Sequence, residues 1–366
     1  MPRTREPTTW KRLVAASACI ATFFCGSAPL TDAIISFPKL SPARALQTEM
    51  PDGFDLSLQG VAMQLESGDR KKRREAMIII SGYPNHIRNS AILMHLTVPR
   101  LSKLILEGKP SEQDLAIWTL EGLRCPAAVP AFIEALRSPN TFVQLRAAVA
   151  LGELQDPRAF HQLTVALNSD DHEVRGKSAW ALGNLGDPRA SLALIVALED
   201  RNPDVRGEAT RALGRLGKRN PKNPSVAKAV PPLIGLLEDD PDPQVRIYAA
   251  WSLGELGDLR AIYSLIDAAD NEEDHHGILR AQSAEALGKL KDARVLPLLL
   301  KALQAEDHVV RIYSSRGLGF LGDKRAVPAL ARAAAKDEDA EVRASAKKAM
   351  DEISKPDPKE ENPKKD

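Results

Sequence analysis

Residues 171–198 read DHEVRGKSAWALGNLGDPRASLALIVAL, and the fold can be read from this one stretch. With Val174 as the zero position, apolar or small residues fall at Val174, Ser178, Ala179, Leu182 and Leu185. At about 100° per residue they share one broad stripe, which predicts an amphipathic helix. Gly186 follows, where a left-handed helix stop favours glycine. Asp187 and Pro188 are an N-cap and a proline at the first helical position. A second helix is predicted over residues 189–198, apolar at Leu192, Leu194, Ile195 and Leu198. Asn202 and Pro203 then cap the next unit. Two such helices cannot bury both apolar faces alone, so stacked neighbours must complete the core.

The unit recurs. Its zero positions are Glu112, Val143, Val174, Val205, Val245, Leu279, Val310 and Val342, and a degenerate copy starts near Lys72. Most steps are 31 residues, with longer ones of 40 from Val205 to Val245 and 34 from Val245 to Leu279. An arginine follows the zero position at Arg175, Arg206, Arg246, Arg280, Arg311 and Arg343. Turn aspartates recur at Asp156, Asp187, Asp258, Asp292 and Asp323. Glycine recurs late in the first helix at Gly152, Gly183, Gly214, Gly254, Gly288 and Gly319. The expected fold is all-α, a right-handed α-solenoid of about eight and a half helix-turn-helix repeats.

These residues resemble the HEAT-repeat family, in its short form named after phycobilisome lyases. The resemblance covers roughly residues 69–353. It implies the fold strongly and the activity weakly, because the family holds bilin lyases, a metal-dependent hydroxylase and many scaffolds. The hydroxylase relatives carry a His-Glu pair directly after the Val-Arg dipeptide. Here those places hold Gly176-Lys177, Gly207-Glu208, Ile247-Tyr248 and Ile312-Tyr313, so that activity is not expected. Lyase relatives imply a tetrapyrrole or chromophore-protein partner, but no local motif in this chain supports one.

Around the array, residues 1–33 read as a secretory signal. Arg3, Arg5, Lys11 and Arg12 precede a 12-residue apolar run, Leu13 to Phe24, and Thr31 and Ala33 form a cleavage pair. The run is shorter than the roughly 18–20 residues a membrane span needs. An uncleaved anchor is the alternative. Residues 34–52, with Pro38, Pro42 and Pro51, read as a linker, residues 53–353 as the array with its capping helices, and residues 354–366 as a charged, disordered tail. Fifty basic residues against forty-nine acidic give no bulk attraction to nucleic acid. The five-base run Arg70 to Arg74 reads as a solvated face on a terminal repeat. Cys125 is alone once Cys19 and Cys25 leave with the signal, which excludes an intrachain disulfide.

Candidate chemistry is sparse. His275 and His276 beside Glu272, Glu273 and Asp274 suggest a metal, but a polar loop between repeats explains them as well, and no metal or other cofactor is expected. There is no phosphate loop and no nucleophile elbow. The arginine and aspartate columns are expected to tie repeats together. The insertion at 218–227 is expected to project as a loop. Six residues after the zero position stand Trp118, Val149, Trp180, Arg211, Trp251, Glu285, Arg316 and Lys348. At about 240° from the start, this column should point away from the stripe. With Tyr248 and Tyr313 on the same helices, Trp118, Trp180, Arg211 and Trp251 are the candidate protein-binding residues, with Arg211 stacked on a neighbouring indole. The second helices, with Phe132, Phe160 and Tyr263, are the expected inner face of the solenoid and the fallback. The expected function is an exported repeat scaffold for a protein partner rather than an enzyme, acting in the periplasm or another extracytoplasmic space. The alternative is a bilin-lyase-like or chaperone-like protein acting on a modified partner.

Overall fold

The computed structural model describes residues 57–83, 91–271 and 277–355. Among them every regular element is helical. The chain begins with α1 (Leu58–Gln64), α2 (Arg70–Gly82), α3 (Ala91–Glu107) and α4 (Pro110–Gly122). Next come α5 (Val129–Ala135), α6 (Thr141–Leu154), α7 (Phe160–Ala166), α8 (His172–Leu185) and α9 (Ser191–Ala197). Then follow α10 (Pro203–Arg219), α11 (Pro224–Ala227), α12 (Val230–Asp239), α13 (Pro243–Leu256) and α14 (Ile262–Asp270). The array closes with α15 (Ile278–Lys289), α16 (Leu296–Ala302), α17 (His308–Leu321), α18 (Val327–Lys336) and α19 (Ala340–Ser354). The expected signal, linker and most of the charged tail lie outside the described residues.

Local chemistry sets the helix ends. The Asp171 carboxylate accepts from the backbone N–H groups of Glu173 and Val174, which starts α8. Gly186, at φ 75°, ends it in the left-handed region. Asp187 then accepts from the Arg189 N–H and caps a 3₁₀ turn, Pro188–Ala190. Only after that turn does α9 begin, so the second helix is a 3₁₀ turn plus seven α-helical residues and not one α-helix over 189–198. Proline at the turn start and a side-chain acceptor two residues back favour the tighter ring.

Most of the apolar stripe is buried, with Leu192 the exception, exposed on the second helix, and Leu185 and Ile195 half-buried. Val174, Ala179 and Leu182 are buried, as are Leu194 and Leu198. One continuous core runs from Val61 to Ile353 through successive repeats, as stacking requires. Adjacent first helices touch along their length, whereas successive second helices barely meet. The seam between repeats is therefore made mainly by the first helices, which are about twice as long as the second ones. The late glycines permit this: a methyl group at Gly183 would come 2.6 Å from the Cα of Ala212, one repeat on.

The arginine column divides its work. Arg175 donates from Nε and Nη2 to Asp200 at 2.7 and 2.8 Å, and from Nη1 to the carbonyls of Ser169 and Asp170. Arg206 holds Asp240 and Arg311 holds Asp337 in the same bidentate way. Each pair clips the start of a repeat to the end of its second helix. The turn aspartates take a different partner. Asp156, Asp187, Asp258, Asp292 and Asp323 each pair with the arginine two residues on.

The 218–227 insertion is not a projecting loop. α10 runs on to Arg219, Asn220 Nδ2 donates to the Gly186 carbonyl at 3.1 Å, and Asn223 caps α11, which buries Val226. Cys125 is buried at the start of a 3₁₀ turn. α19 ends the stack with Lys347 and Lys348 exposed, as a terminal helix should.

Candidate functional site: the first-helix face

The proposed column lies on the first-helix face, but most of it is not free. The Trp180 indole is half-buried against the preceding repeat, where a methyl group at Gly152 would come 2.4 Å from its Cζ3. Trp251 does the same over Gly214, at 2.5 Å. Both indoles thus wedge between successive first helices, so the expectation that they point clear of the core is corrected. A wheel angle places a side chain on a helix but says nothing of the cleft the neighbouring glycine opens. Trp118, 37% exposed, remains at the surface.

Arg211 stacks on a tyrosine and not on an indole. Its guanidinium carbon sits 5.1 Å from the Tyr248 ring centre, and Nη1 reaches Glu208 Oε1 at 3.3 Å. Tyr313 receives Arg316 in the same manner, at 4.8 Å. Burial pushes the Tyr248 hydroxyl pKa up. The six candidate residues therefore form separate local clusters and not one patch: Trp118 near the surface of α4, Trp180 over Gly152, Arg211 with Tyr248, Trp251 over Gly214, and Tyr313 with Arg316.

An open groove of about 430 Å³ lies across α8, α10 and α13. The buried Gly176 and Gly207 line it together with Tyr248, Lys177, Glu208 and Asp242. Later repeats carry Ile247 and Ile312 where these glycines stand, so the groove exists because two consecutive repeats lack a side chain there. At Gly207 a methyl group would press on the Tyr248 ring at 3.3 Å. Sequence reading passed over these glycines as a departure from the hydroxylase pattern. Their adjacency in neighbouring repeats was the available signal.

Further along the face, charges interlock between repeats. Lys289 bonds Glu255 and Glu285, both at 2.8 Å, and Arg316 lies 3.7 Å from Glu285. Arg146 pairs with Glu121 across a repeat boundary. On the second-helix face, Phe132 is wholly buried and Phe160 lies under Arg189 at 4.6 Å. Tyr263, Leu192 and Val196 are exposed there. No group of three or more His, Cys, Asp or Glu is placed to hold a metal among the described residues, and His275 and His276 fall outside them. No helix among the described residues is long and apolar enough to cross a membrane.

The family model for HEAT repeats matches residues 98–183, 162–225, 191–276 and 272–351, together more than half of the sequence. The chain belongs to the HEAT-repeat family. Within this HEAT-repeat chain, 84 residues are 38% identical to the phycocyanobilin lyase subunit alpha of Synechocystis sp., covering 21% of the chain and 31% of that protein. The same subunit from Microchaete diplosiphon is 42% identical over 73 residues, 18% of the chain and 25% of the relative. The matched stretch spans about a third of these curated relatives or less. Among solved structures, an engineered protein superposes with a TM-score of 0.51 at 21% identity, covering 81% of this chain and 89% of that one. That likeness concerns the fold alone.

Proposed function

We propose that this HEAT-repeat chain is an exported scaffold that holds a protein partner against its first-helix face. The observation that carries the reading is the groove over Gly176 and Gly207, bounded by Tyr248 and continuous with the Arg211–Tyr248 stack. Half-buried tyrosines paired with arginines are the side chains that dominate binding energy where proteins meet. Export rests on the basic start and short apolar run of residues 1–33. The test is affinity capture from the extracytoplasmic fraction of the native host, with the parent and a Tyr248→Ala, Tyr313→Ala variant of unchanged melting temperature. A partner recovered with the parent and lost with the variant supports the reading. Equal recovery moves the binding surface elsewhere.

A second reading is favoured by one observation, the identity with phycocyanobilin lyase subunits over 84 residues. It makes the chain a lyase-like protein acting on a chromophore-bearing partner. Mixing purified protein with a linear tetrapyrrole decides it. A shifted, intensified absorption band supports this second reading, and an unchanged spectrum removes it.

A further inference from the structure

On α10 a row of arginines is poorly balanced by carboxylates. Arg211, Arg215 and Arg219 follow at four-residue steps, which sets them in one row on one side of the helix. Like charges at this spacing repel, so the row opposes helix stability. Its internal compensation is slight. Glu208 gives Arg211 a single contact at 3.3 Å. Arg219 donates to the Asn184 carbonyl, an uncharged acceptor. Arg215 has a buried Nη1 with no hydrogen-bond acceptor, and among the described residues it makes no ion pair.

The other repeats treat this column differently. Lys289 occupies the place of Arg215 two repeats on, and two carboxylates hold it at 2.8 Å. One repeat on, the same place holds Glu255, which itself bonds Lys289. Burial above all lowers the Arg215 pKa, and Arg211 lowers it further against an opposing pull from Glu208. Among the described residues no carboxylate comes within ion-pair distance of the Arg215 guanidinium, which leaves room there for an anion from outside.

Geometry narrows what the anion is. Four residues of α-helix rise about 6 Å. Alternate side chains on one face of an extended chain lie about 6.4–6.8 Å apart. The row therefore matches, nearly in step, a strand with carboxylates at every second position. At the level of Arg211, the half-buried indoles of Trp180 and Trp251 stand in the repeats on either side. They offer apolar flanks to such a strand.

We propose that Arg211, Arg215 and Arg219 form a docking row for an extended acidic segment of a partner protein, with Arg215 meeting its central carboxylate. The proposal rests on the reading that the first-helix face holds a protein. It adds the chemistry of what is held.

The probe is a fluorescein-labelled eight-residue peptide alternating glutamate and serine, titrated against the full chain at low salt and followed by anisotropy. Comparison ligands are the same peptide with glutamine for glutamate and a single-stranded oligothymidine of equal length. The expected result is binding of the glutamate peptide that weakens with salt, with no binding of its glutamine form. Arg215→Met weakens it at least about tenfold, as loss of a desolvated charge contact does. Lys228→Met, at an exposed lysine that caps α11, leaves it unchanged. Without peptide, the melting temperature of Arg215→Met is no lower than that of the parent, because an unmet buried charge has gone. Should that variant fold poorly, Arg211→Gln serves with the same expected loss. Equal affinity of parent and variant overturns the proposal, as does absence of peptide binding or tighter binding of the oligonucleotide. If Tyr248→Ala abolishes partner capture while Arg215→Met retains it, the acidic-segment proposal fails and the scaffold reading stands.

Discussion

The six-membered ring of Trp180 rests on Gly152, one repeat back, so closely that a β-carbon there would fall 2.4 Å from Cζ3. The glycine is a receptor for the indole as well as a point of close helix approach. Gly152→Ala should therefore overpack this seam and lower stability by about 1–3 kcal/mol. In a Trp180→Ala background the same substitution should cost less, although the Cα of Ala181 at 2.9 Å keeps some of the strain. Urea unfolding of the four proteins of this cycle measures the coupling. Strict additivity would mean the ring and the glycine do not interact.

The Arg175–Asp200 clip is largely out of water, with side chains 8% and 12% exposed. Arg175→Met leaves the Asp200 carboxylate with one backbone donor, the N–H of Asn202, and frees the carbonyls of Ser169 and Asp170. Breaking a buried pair from one side costs about 3–5 kcal/mol. The double variant Arg175→Met, Asp200→Leu should regain a substantial part of it. Chemical denaturation of both variants checks the order.

Acid sensitivity follows from the same clips. Hydrogen bonds from Arg175 hold the Asp200 carboxyl below the ordinary aspartate value of 3.8. At Asp240 and Asp337 burial acts upward, but the bonds from Arg206 and Arg311 outweigh it, and both end below that value as well. A carboxylate with a depressed folded pKa stabilises fully above its unfolded value and loses that contribution as pH falls through the folded one. Thermal stability should thus hold from neutrality to about pH 5 as far as these groups are concerned, and fall steeply below about pH 4. Arg175→Met should make the fall shallower.

Leu182 is wholly buried in the middle of the α8 stripe. Leu182→Ala should cost about 2–5 kcal/mol. Because each repeat touches only its neighbours, the loss should open the repeats around α8 first. Hydrogen exchange by mass spectrometry would show faster exchange there than in α17 or α19. Uniform acceleration along the chain would contradict a nearest-neighbour array.

Much of this architecture is written in local chemistry. Asp171, Gly186, Asp187 and Pro188 name the ends of α8 and the turn after it, because caps and left-handed stops depend on one or two residues. The stripe from Val174 to Leu185 names the buried side, because it depends on helical period alone. What lies between repeats is less legible. The wheel angle of Trp180 gives its bearing on α8, but its burial depends on Gly152, 28 residues earlier, and on how far apart two helices settle. Arg211 finds Tyr248 across a step of 40 residues, where register has to be measured along the fold. The groove over Gly176 and Gly207 is a missing pair of side chains, and a hole has no residue of its own to announce it.

The glycine seam also decides how such a chain can change length. Gly152 faces Ala181, Gly183 faces Ala212 and Gly254 faces Ala286, each glycine against a small residue of the following repeat. Excising residues 174–204, one whole 31-residue period, would bring Gly152 against Ala212, a joint of the kind already present at Gly183. Excising a single residue inside α8 would instead turn everything beyond it by about 100° and put the wrong side chains at the joint. Growth and loss are thus quantised: the array can be lengthened or shortened by whole periods, and fractional steps are confined to the turns.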